Sequence, residues 1–108
     1  VTTSLDLDSN ITGCNDGLII KDDNIEVNCN DYKIDGTLVG INSTGYNNLI
    51  IDNCEIKDFN YGVYIKESND NIIKNSKVDE SIVGIYLSES NNLTIIDSII
   101  EDSFPYKL

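Results

Sequence analysis

Apolar and polar residues alternate along this chain in short bursts of three or four, which is the period of β-strands. No segment keeps apolar residues at the i, i+3, i+4 and i+7 positions of a helix for two turns. The bursts recur every 22 or 23 residues, and each repeat begins with a glycine: Gly17, Gly40, Gly62 and Gly84. The pattern predicts three short strands per repeat, joined by turns rich in Gly, Asn, Asp and Ser.

Alignment of the repeats at their glycines separates the predicted interior from the predicted surface. Four aligned positions are apolar in almost every repeat: Ile41, Val63 and Ile85; Leu49, Asn71 and Leu93; Ile51, Ile73 and Ile95; Ile56, Val78 and Ile100. One short strand cannot bury its apolar face alone, but coils stacked about 4.8 Å apart form continuous parallel sheets around one interior. The chain is therefore predicted to be an all-β solenoid.

Asparagines also recur at the predicted turns. One aligned set is Asn47, Asn69 and Asn91, with Asn24 assigned as its fourth member, and Asn48, Asp70 and Asn92 lie beside it. Stacked amide side chains can pass hydrogen bonds from coil to coil. Ordinary turn residues that tolerate positive φ would give the same pattern, and the two interpretations are compatible.

Two segments carry a resemblance to a known family. LDLDSNITGCNDGLIIKDDNIEVNCN, from Leu5 to Asn30, is similar to the first coil of right-handed parallel β-helix repeat proteins with the pectin-lyase-like fold. The repeats from Gly62 and Gly84, and more loosely from Gly40, follow the family's form G-I-Y-L-x-x-S-x-N-x-x-I. The resemblance is greatest to short-repeat members on archaeal and bacterial cell surfaces and to periplasmic copper-site accessory proteins.

The resemblance implies a right-handed parallel β-helix with about four coils in one domain. A capping segment is expected at 1–16, followed by coils at 17–39, 40–61, 62–83 and 84–108. It implies no function, because the same solenoid carries lyases, hydrolases, adhesins and structural proteins.

The charge balance limits the partners. The chain has 19 acidic and 7 basic residues, a net charge of -12, and every basic residue is Lys. Nucleic acid is disfavoured because binding it depends on Lys and Arg that neutralise phosphates, and anionic membranes and acidic polysaccharides are disfavoured similarly. No apolar run is long enough to predict a membrane span.

Missing residue types weaken the enzymatic interpretations. Without Arg, the base of the lyases that the chain resembles has no matching position, and without His or Met a copper role has only three Cys as soft ligands. Glycoside hydrolysis needs only two carboxylates and is not excluded. Asp22 and Asp23 form an adjacent acidic pair, but an Asp-Asp-Asn run is more typical of a turn. We therefore predict no catalytic residues.

One acidic set is a candidate calcium site. Asp58, Glu80 and Asp102 lie eighteen residues after successive glycines. Stacked carboxylates repel by about 1 kcal/mol in water, and Ca²⁺, which accepts six to eight oxygen ligands, would relieve this. The alternative is a solvated set offset by nearby lysines, which predicts no cofactor.

The cysteines leave two pairings open. Cys29 and Cys54 lie 25 residues apart, close to one coil, so a bridge between them is geometrically possible, and buried free thiols are equally compatible. The resemblance instead implies a bridge between Cys14 and Cys29. Either way one Cys is left over.

An extracellular location is expected from several marks. Glycosylation-type triplets begin at Asn10, Asn42 and Asn92. The chain starts at Val1 without Met, as it would after removal of a signal segment or at the boundary of a shortened piece. Richness in Ile, Asn, Lys and Asp is compatible with an archaeal or bacterial source.

Two functions are predicted as alternatives. In the first, the protein is a structural subunit whose coils stack end to end on other copies in a surface filament, sheath or layer, because no cap is evident around SFPYKL. In the second, it is a carbohydrate-binding or carbohydrate-active part of a longer β-helix. The candidate contact residues are Tyr64, Tyr86 and Tyr106, with Tyr32, Tyr46 and Tyr61 as further side surface.

Overall fold

The computed structural model describes residues 1–102, which form twelve β-strands and no helix. The strands are β1 (Leu5–Asp6), β2 (Ile11–Ile20), β3 (Glu26–Asn28), β4 (Lys33–Thr44), β5 (Ile50–Asp52), β6 (Glu55–Lys57), β7 (Tyr61–Lys66), β8 (Ile72–Lys74), β9 (Lys77–Ser81), β10 (Val83–Ser88), β11 (Thr94–Ile96) and β12 (Ile99–Asp102).

The strands form three parallel stacks. The first stack contains β1, β3, β5, β8 and β11. The second and third stacks belong to one sheet because β4 pairs with β6 along its first part and with β7 along its last part, and β2 pairs with β4 over both. β9 and β12 continue the second stack, and β10 continues the third. Each coil therefore has three strand segments, and all strand pairs in residues 1–102 are parallel.

The register reproduces the repeat seen in the sequence. Ile51 pairs with Ile73, and Ile73 pairs with Ile95, so the coils from Ile51 onward lie over residues 22 positions later. This confirms the predicted all-β solenoid with three strands per coil. The segment 1–16, predicted as a cap, contributes to the stacks because Leu5 pairs with Val27 and Ile11 pairs with Ile34.

The predicted apolar sets form the core in the middle coils. Ile51, Ile56, Ile73 and Val78 have no exposed surface. Asn71 is the polar member of these sets and is also buried. Its Oδ1 accepts a hydrogen bond from the Leu49 backbone N–H at 3.0 Å, and its amide nitrogen donates to the Ser68 carbonyl at 3.1 Å. These bonds satisfy the amide in the interior, where an unpaired polar group would be costly.

The repeated glycines are required by contact between coils. A Cβ atom on Gly40 would overlap the carbonyl oxygen of Gly62 and the Ile56 side chain, and one on Gly62 would overlap the Val78 side chain. Backbone atoms held by the sheet cannot move aside cheaply. Glycine thus recurs at this position because of the narrow space between coils, and not because a turn conformation requires it.

The turns depend on Asn and Asp instead. Asn24, Asn48, Asp70 and Asn92 form one set with φ near 60°, a conformation that Asn and Asp adopt more readily than most residues. Within this set, Asn48 donates to Asn24 Oδ1 at 2.9 Å, and Asn92 donates to Asp70 Oδ1 at 3.0 Å.

The neighbouring asparagine set forms the predicted hydrogen-bonded ladder, with one correction. The backbone N–H of Asn69 donates to Asn47 Oδ1, and that of Asn91 donates to Asn69 Oδ1, both at 2.9 Å. The fourth member is Asp23, whose Oδ1 accepts from Asn47 N–H at 2.7 Å, and not Asn24. The assignment was wrong by one position because Asp23 follows Gly17 by six residues, whereas Asn47 follows Gly40 by seven.

Candidate assembly surfaces

The last coil exposes side chains that the preceding coil buries. Ile65 and Ile73 are fully buried, but their partners one coil later, Leu87 and Ile95, are each 45% exposed. β11 is also an edge strand of its sheet, and the three residues of Thr94–Ile96 carry no charge or proline that would protect this edge. Within residues 1–102, this end of the solenoid is therefore an apolar surface with a strand edge available for pairing.

Two outward positions of this coil are also apolar. Ile96 aligns with Lys74 and Asp52, and Ile99 aligns with Lys77 and Glu55. The two isoleucines are 46% and 54% exposed. A solenoid core does not need apolar residues at outward positions, so these isoleucines extend the exposed apolar surface beyond the core. We call Leu87, Ile95, Ile96 and Ile99 the end surface.

The first coil is better covered. Leu18 is 8% exposed and Ile20 is 2% exposed. Val1 lies along this coil as a further strand would: its amino group donates to the Ile19 carbonyl at 2.6 Å, and Lys21 N–H donates to the Val1 carbonyl at 2.7 Å. β1 is the outer strand of the first stack.

Three tyrosines form a cluster on the outward face of the third stack. The rings of Tyr64 and Tyr86 are stacked, with centroids 4.7 Å apart and planes 8° apart. Tyr61 packs edge-on against both, at 5.6 Å from each. Sequence reasoning placed Tyr61 only among further side surface, because regular strand alternation puts residues three positions apart on opposite faces. Tyr46 packs against the core, and Tyr106 lies outside the described residues.

The outward face of the second stack carries alternating charges, which sequence reasoning missed. Lys33, Glu55 and Lys77 align in one column, and Asp35, Lys57 and Asp79 align in the next. Each charge therefore has opposite charges above, below or beside it. We call these six residues the charge lattice.

One ion pair lies within the charge lattice, and a second joins the lattice to Glu80. Lys77 Nζ lies 3.4 Å from Asp79 Oδ2, and Lys57 Nζ lies 3.8 Å from Glu80 Oε2. The pKa of the Lys57 ammonium is raised, chiefly by the Glu80 carboxylate. The lattice could have been found by aligning strand residues of each coil beside one another.

The three residues predicted as calcium ligands have different neighbours in the structure. The Asp58 carboxylate acts on the neighbouring Asp35 carboxyl group and raises its pKa. Glu80 pairs with Lys57, and the Asp102 backbone aligns with Ser81 because the register of β12 shifts after Ile100. No group of three or more Cys, Asp or Glu residues in the part of the chain described could hold a metal ion. Calcium binding stays a prediction without a ligand set.

The Asp35–Asp58 contact perturbs one carboxyl group. The pKa of Asp35 is raised above its ordinary 3.8, first by partial burial, then by repulsion from the Asp58 carboxylate and by the hydrogen bond with it. Lys57 and Lys33 act in the opposite direction.

The structure joins Cys29 to Cys54, the pairing suggested by coil spacing. Their Cα atoms are 4.8 Å apart, and the bridge links neighbouring coils inside the core. Ser76 continues this column and accepts a hydrogen bond from Cys54 N–H at 3.1 Å. Cys14, which the family resemblance paired with Cys29, is a half-buried free thiol whose Sγ lies 3.6 Å from the Asp35 carbonyl oxygen.

The three glycosylation-type asparagines have different surroundings. Asn10 is exposed, and its Oδ1 accepts from Lys33 N–H at 2.8 Å. Asn42 lies within β4 and accepts from the Thr44 hydroxyl at 2.9 Å. Asn92 uses its amide nitrogen in the turn column described above.

The Asp22–Asp23 pair belongs to a turn. Asp22 Oδ1 accepts from Asp23 N–H at 2.8 Å, while Asp23 heads the asparagine ladder. A separate groove of about 260 Å³ runs along the turn between the first and second stacks. It is lined by polar groups that include Asn53, Glu55 and Lys77, and no aromatic ring lines it.

The parallel stacks, the 22-residue register and the apolar interior define a β-solenoid. The model of the family "Right handed beta helix region" matches residues 7–104, and the chain belongs to this family, which supplies the right-handed sense. Neither a curated protein nor a solved structure shows significant similarity to the chain. Family membership defines a fold and not an activity. Residues 1–102 contain no helix that is long and apolar enough to span a membrane.

Proposed function

We propose that this protein is a non-catalytic structural β-helix that extends by stacking the last coil of one copy on the first coil of another. The product would be an extracellular filament, sheath or surface layer. The observation that carries the proposal is the end surface, which is apolar at outward positions as well as at inward ones.

The contact requires both apolar burial and strand pairing. Each residue of the end surface is about half exposed. Covering one such residue therefore stabilises the contact by about 1 kcal/mol. Association costs roughly 4 kcal/mol or more, so apolar burial alone does not suffice. Pairing of the β11 edge with the outer edge of β1 in the next copy supplies the backbone hydrogen bonds that a parallel stack needs.

Charge and redox state define the conditions. Each copy carries a net charge of -12, so stacking is opposed by repulsion that salt screens. We therefore expect assembly to increase with ionic strength. The Cys29–Cys54 bridge supports an oxidising compartment outside the cytosol, where disulfides persist.

Electron microscopy and light scattering of the full chain, over a range of protein and salt concentrations, test the proposal. We expect filaments many times longer than one subunit. The double variant Ile96→Lys/Ile99→Lys places lysines at the end surface, one of them in line with Lys74 and the other with Lys77, and it should shorten or abolish the filaments.

A charge-matched control separates the surface from net charge. Asp31→Asn/Tyr32→Lys makes the same change of two units at exposed residues between β3 and β4, and it should assemble as the wild type does. A wild type that stays monomeric under all conditions, or equal loss of filaments in both variants, would contradict the proposal.

The second candidate is a carbohydrate-binding module that takes cell-surface glycans. It is favoured by the groove between the first and second stacks and by the tyrosine cluster, since aromatic faces stack on sugar rings. However, Tyr64 and Tyr86 cover one ring face of each other. Glycan-array binding that is lost in Tyr64→Ala/Tyr86→Ala would favour this function, and no binding by the wild type would remove its basis.

A further inference from the structure

The outward face of the third stack is an exposed apolar patch. Its centre is the cluster of Tyr61, Tyr64 and Tyr86. Ile19 lies two coils before Tyr64, and Leu38 and Ile82 directly precede the residues of this stack in their coils, with exposures of 40%, 46% and 40%. Ile19 belongs to the same column as Tyr64, because Ile19 pairs with Asn42 and Asn42 pairs with Tyr64. We call these six residues the tyrosine wall.

The tyrosine wall is almost free of charge in a strongly acidic protein. The strand segments of this stack, 16–20, 39–44, 61–66 and 83–88, contain one acid, Asp16, and one base, Lys66. The whole chain has 19 acidic residues and a net charge of -12. Two copies that approach through this wall therefore avoid most of the repulsion that they meet elsewhere.

The rings are also fixed before any contact forms. The stacked pair and the edge-on Tyr61 restrain one another, so little side-chain entropy remains to be lost on docking. Tyrosine is enriched where protein surfaces meet, because its ring is apolar and its hydroxyl can still bond to a partner. In contrast, the charge lattice of the second stack already pairs its charges within one copy and gains little from a neighbour.

We infer that the tyrosine wall docks against the same wall of a second copy and joins solenoids side by side. The inference rests on the proposed self-assembling function and adds its lateral contact. A wall of four coils is only about 15 Å tall, and a stable pair of proteins usually buries about 800 Å² on each side. The contact is thus weak between single subunits and strong between filaments, where it repeats along the length.

The wall can be tested separately from the ends. Ile96→Lys/Ile99→Lys blocks the end surface, and sedimentation equilibrium of this variant at rising concentration should show a weak dimer. NMR should show concentration-dependent shifts for the ring protons of Tyr61, Tyr64 and Tyr86. Adding Tyr64→Asn and Tyr86→Asn should weaken the dimer at least tenfold, and the fold should tolerate both because Asn42 occupies the same column.

Tyr32→Asn is the matched control, because Tyr32 is an exposed tyrosine away from the wall, and it should leave the dimer unchanged. An end-blocked protein that stays monomeric up to millimolar concentration, or one that dimerises equally without the wall tyrosines, overturns the inference. Binding of a neutral glycan that needs these tyrosines, without self-association, also overturns it.

The two proposals fail differently. If the wild type forms filaments that associate in pairs, Tyr64→Asn/Tyr86→Asn should leave filament length unchanged and reduce the pairs to single filaments; pairs that persist refute the wall alone. If the wild type forms no filaments but dimerises through the tyrosines, the end-to-end proposal fails and the lateral contact stands.

Discussion

The coil that begins at Gly62 and the coil that begins at Gly84 share the repeat pattern, with eight identical residues at matching positions, but they have different surroundings. Ile73 in the former is fully buried, and Ile95, its partner in the latter, is 45% exposed. A residue in a solenoid is therefore stabilised by the coil below it as much as by the sequence of its own coil. At two outward positions, Lys74 and Lys77 of the former coil are replaced by Ile96 and Ile99 in the latter. The core does not require apolar residues at these positions.

The largest effect should come from truncating the matched isoleucines. Ile73→Ala removes a fully buried side chain and should lower the free energy of unfolding by about 3 kcal/mol. Ile95→Ala should cost about 1 kcal/mol, because half of that side chain already contacts solvent. Denaturant unfolding at low protein concentration and low salt measures both. Equal losses would show that the last coil is as well covered as the preceding one.

Reduction of the disulfide should have an effect of similar size and should separate the coils further. The Cys29–Cys54 bridge joins the two coils that precede the Gly62 coil and closes a loop of 25 residues. Its loss should lower the free energy of unfolding by about 3 kcal/mol. Amide hydrogen exchange should become faster throughout the middle coils. Exchange in Thr94–Ile96 should change little, since an end strand opens locally. Faster exchange of equal size in all coils would contradict this.

Replacement of Glu67 or Glu89 by glycine should affect the two coils equally. Both residues have φ near 50°, and Gly45 occupies the corresponding turn one coil earlier. Each substitution should stabilise by about 0.5 to 1 kcal/mol, because glycine adopts this conformation without the steric cost that Glu incurs. The melting temperature measures the effect. Unequal gains would mean that the local turn, too, depends on the coil below.

The smallest effect should come from Asp35→Asn. The pKa of Asp35 is raised in the folded state, so ionisation of this carboxyl disfavours folding, and stability is lost as pH rises through the folded-state pKa. Asn should raise the melting temperature slightly at neutral pH and not below pH 3.8, the ordinary pKa. Ile95→Asn, in the exposed end, should show no such pH dependence. A gain for Asp35→Asn that persists at low pH would contradict the assignment.

The fold could be predicted from the sequence because the glycine period and the apolar sets record contacts between neighbouring coils. The asparagine ladder was also predictable, apart from the assignment of Asn24, which required the length of one turn. The alternating charges of Lys33, Glu55 and Lys77 were missed because they appear only when strands from different coils are placed side by side. The sequence left two cysteine pairings open, since coil spacing suggested Cys54 as the partner of Cys29 and the family resemblance implied Cys14.

Disulfide trapping between copies tests end-to-end stacking most directly. Leu7 lies at the top of the column that contains Cys29, Cys54 and Ser76, and Ser98 lies at its bottom, where its hydroxyl accepts from Ser76 N–H. One copy would carry Leu7→Cys and the other Ser98→Cys, both with Cys14→Ser. If the last coil stacks on the first, the new thiols meet as Cys29 and Cys54 do, with Cα atoms about 4.8 Å apart. The account predicts covalent dimers from mild oxidation of the mixture and none from either variant alone; a mixture that stays monomeric, or variants that crosslink equally well alone, would contradict it.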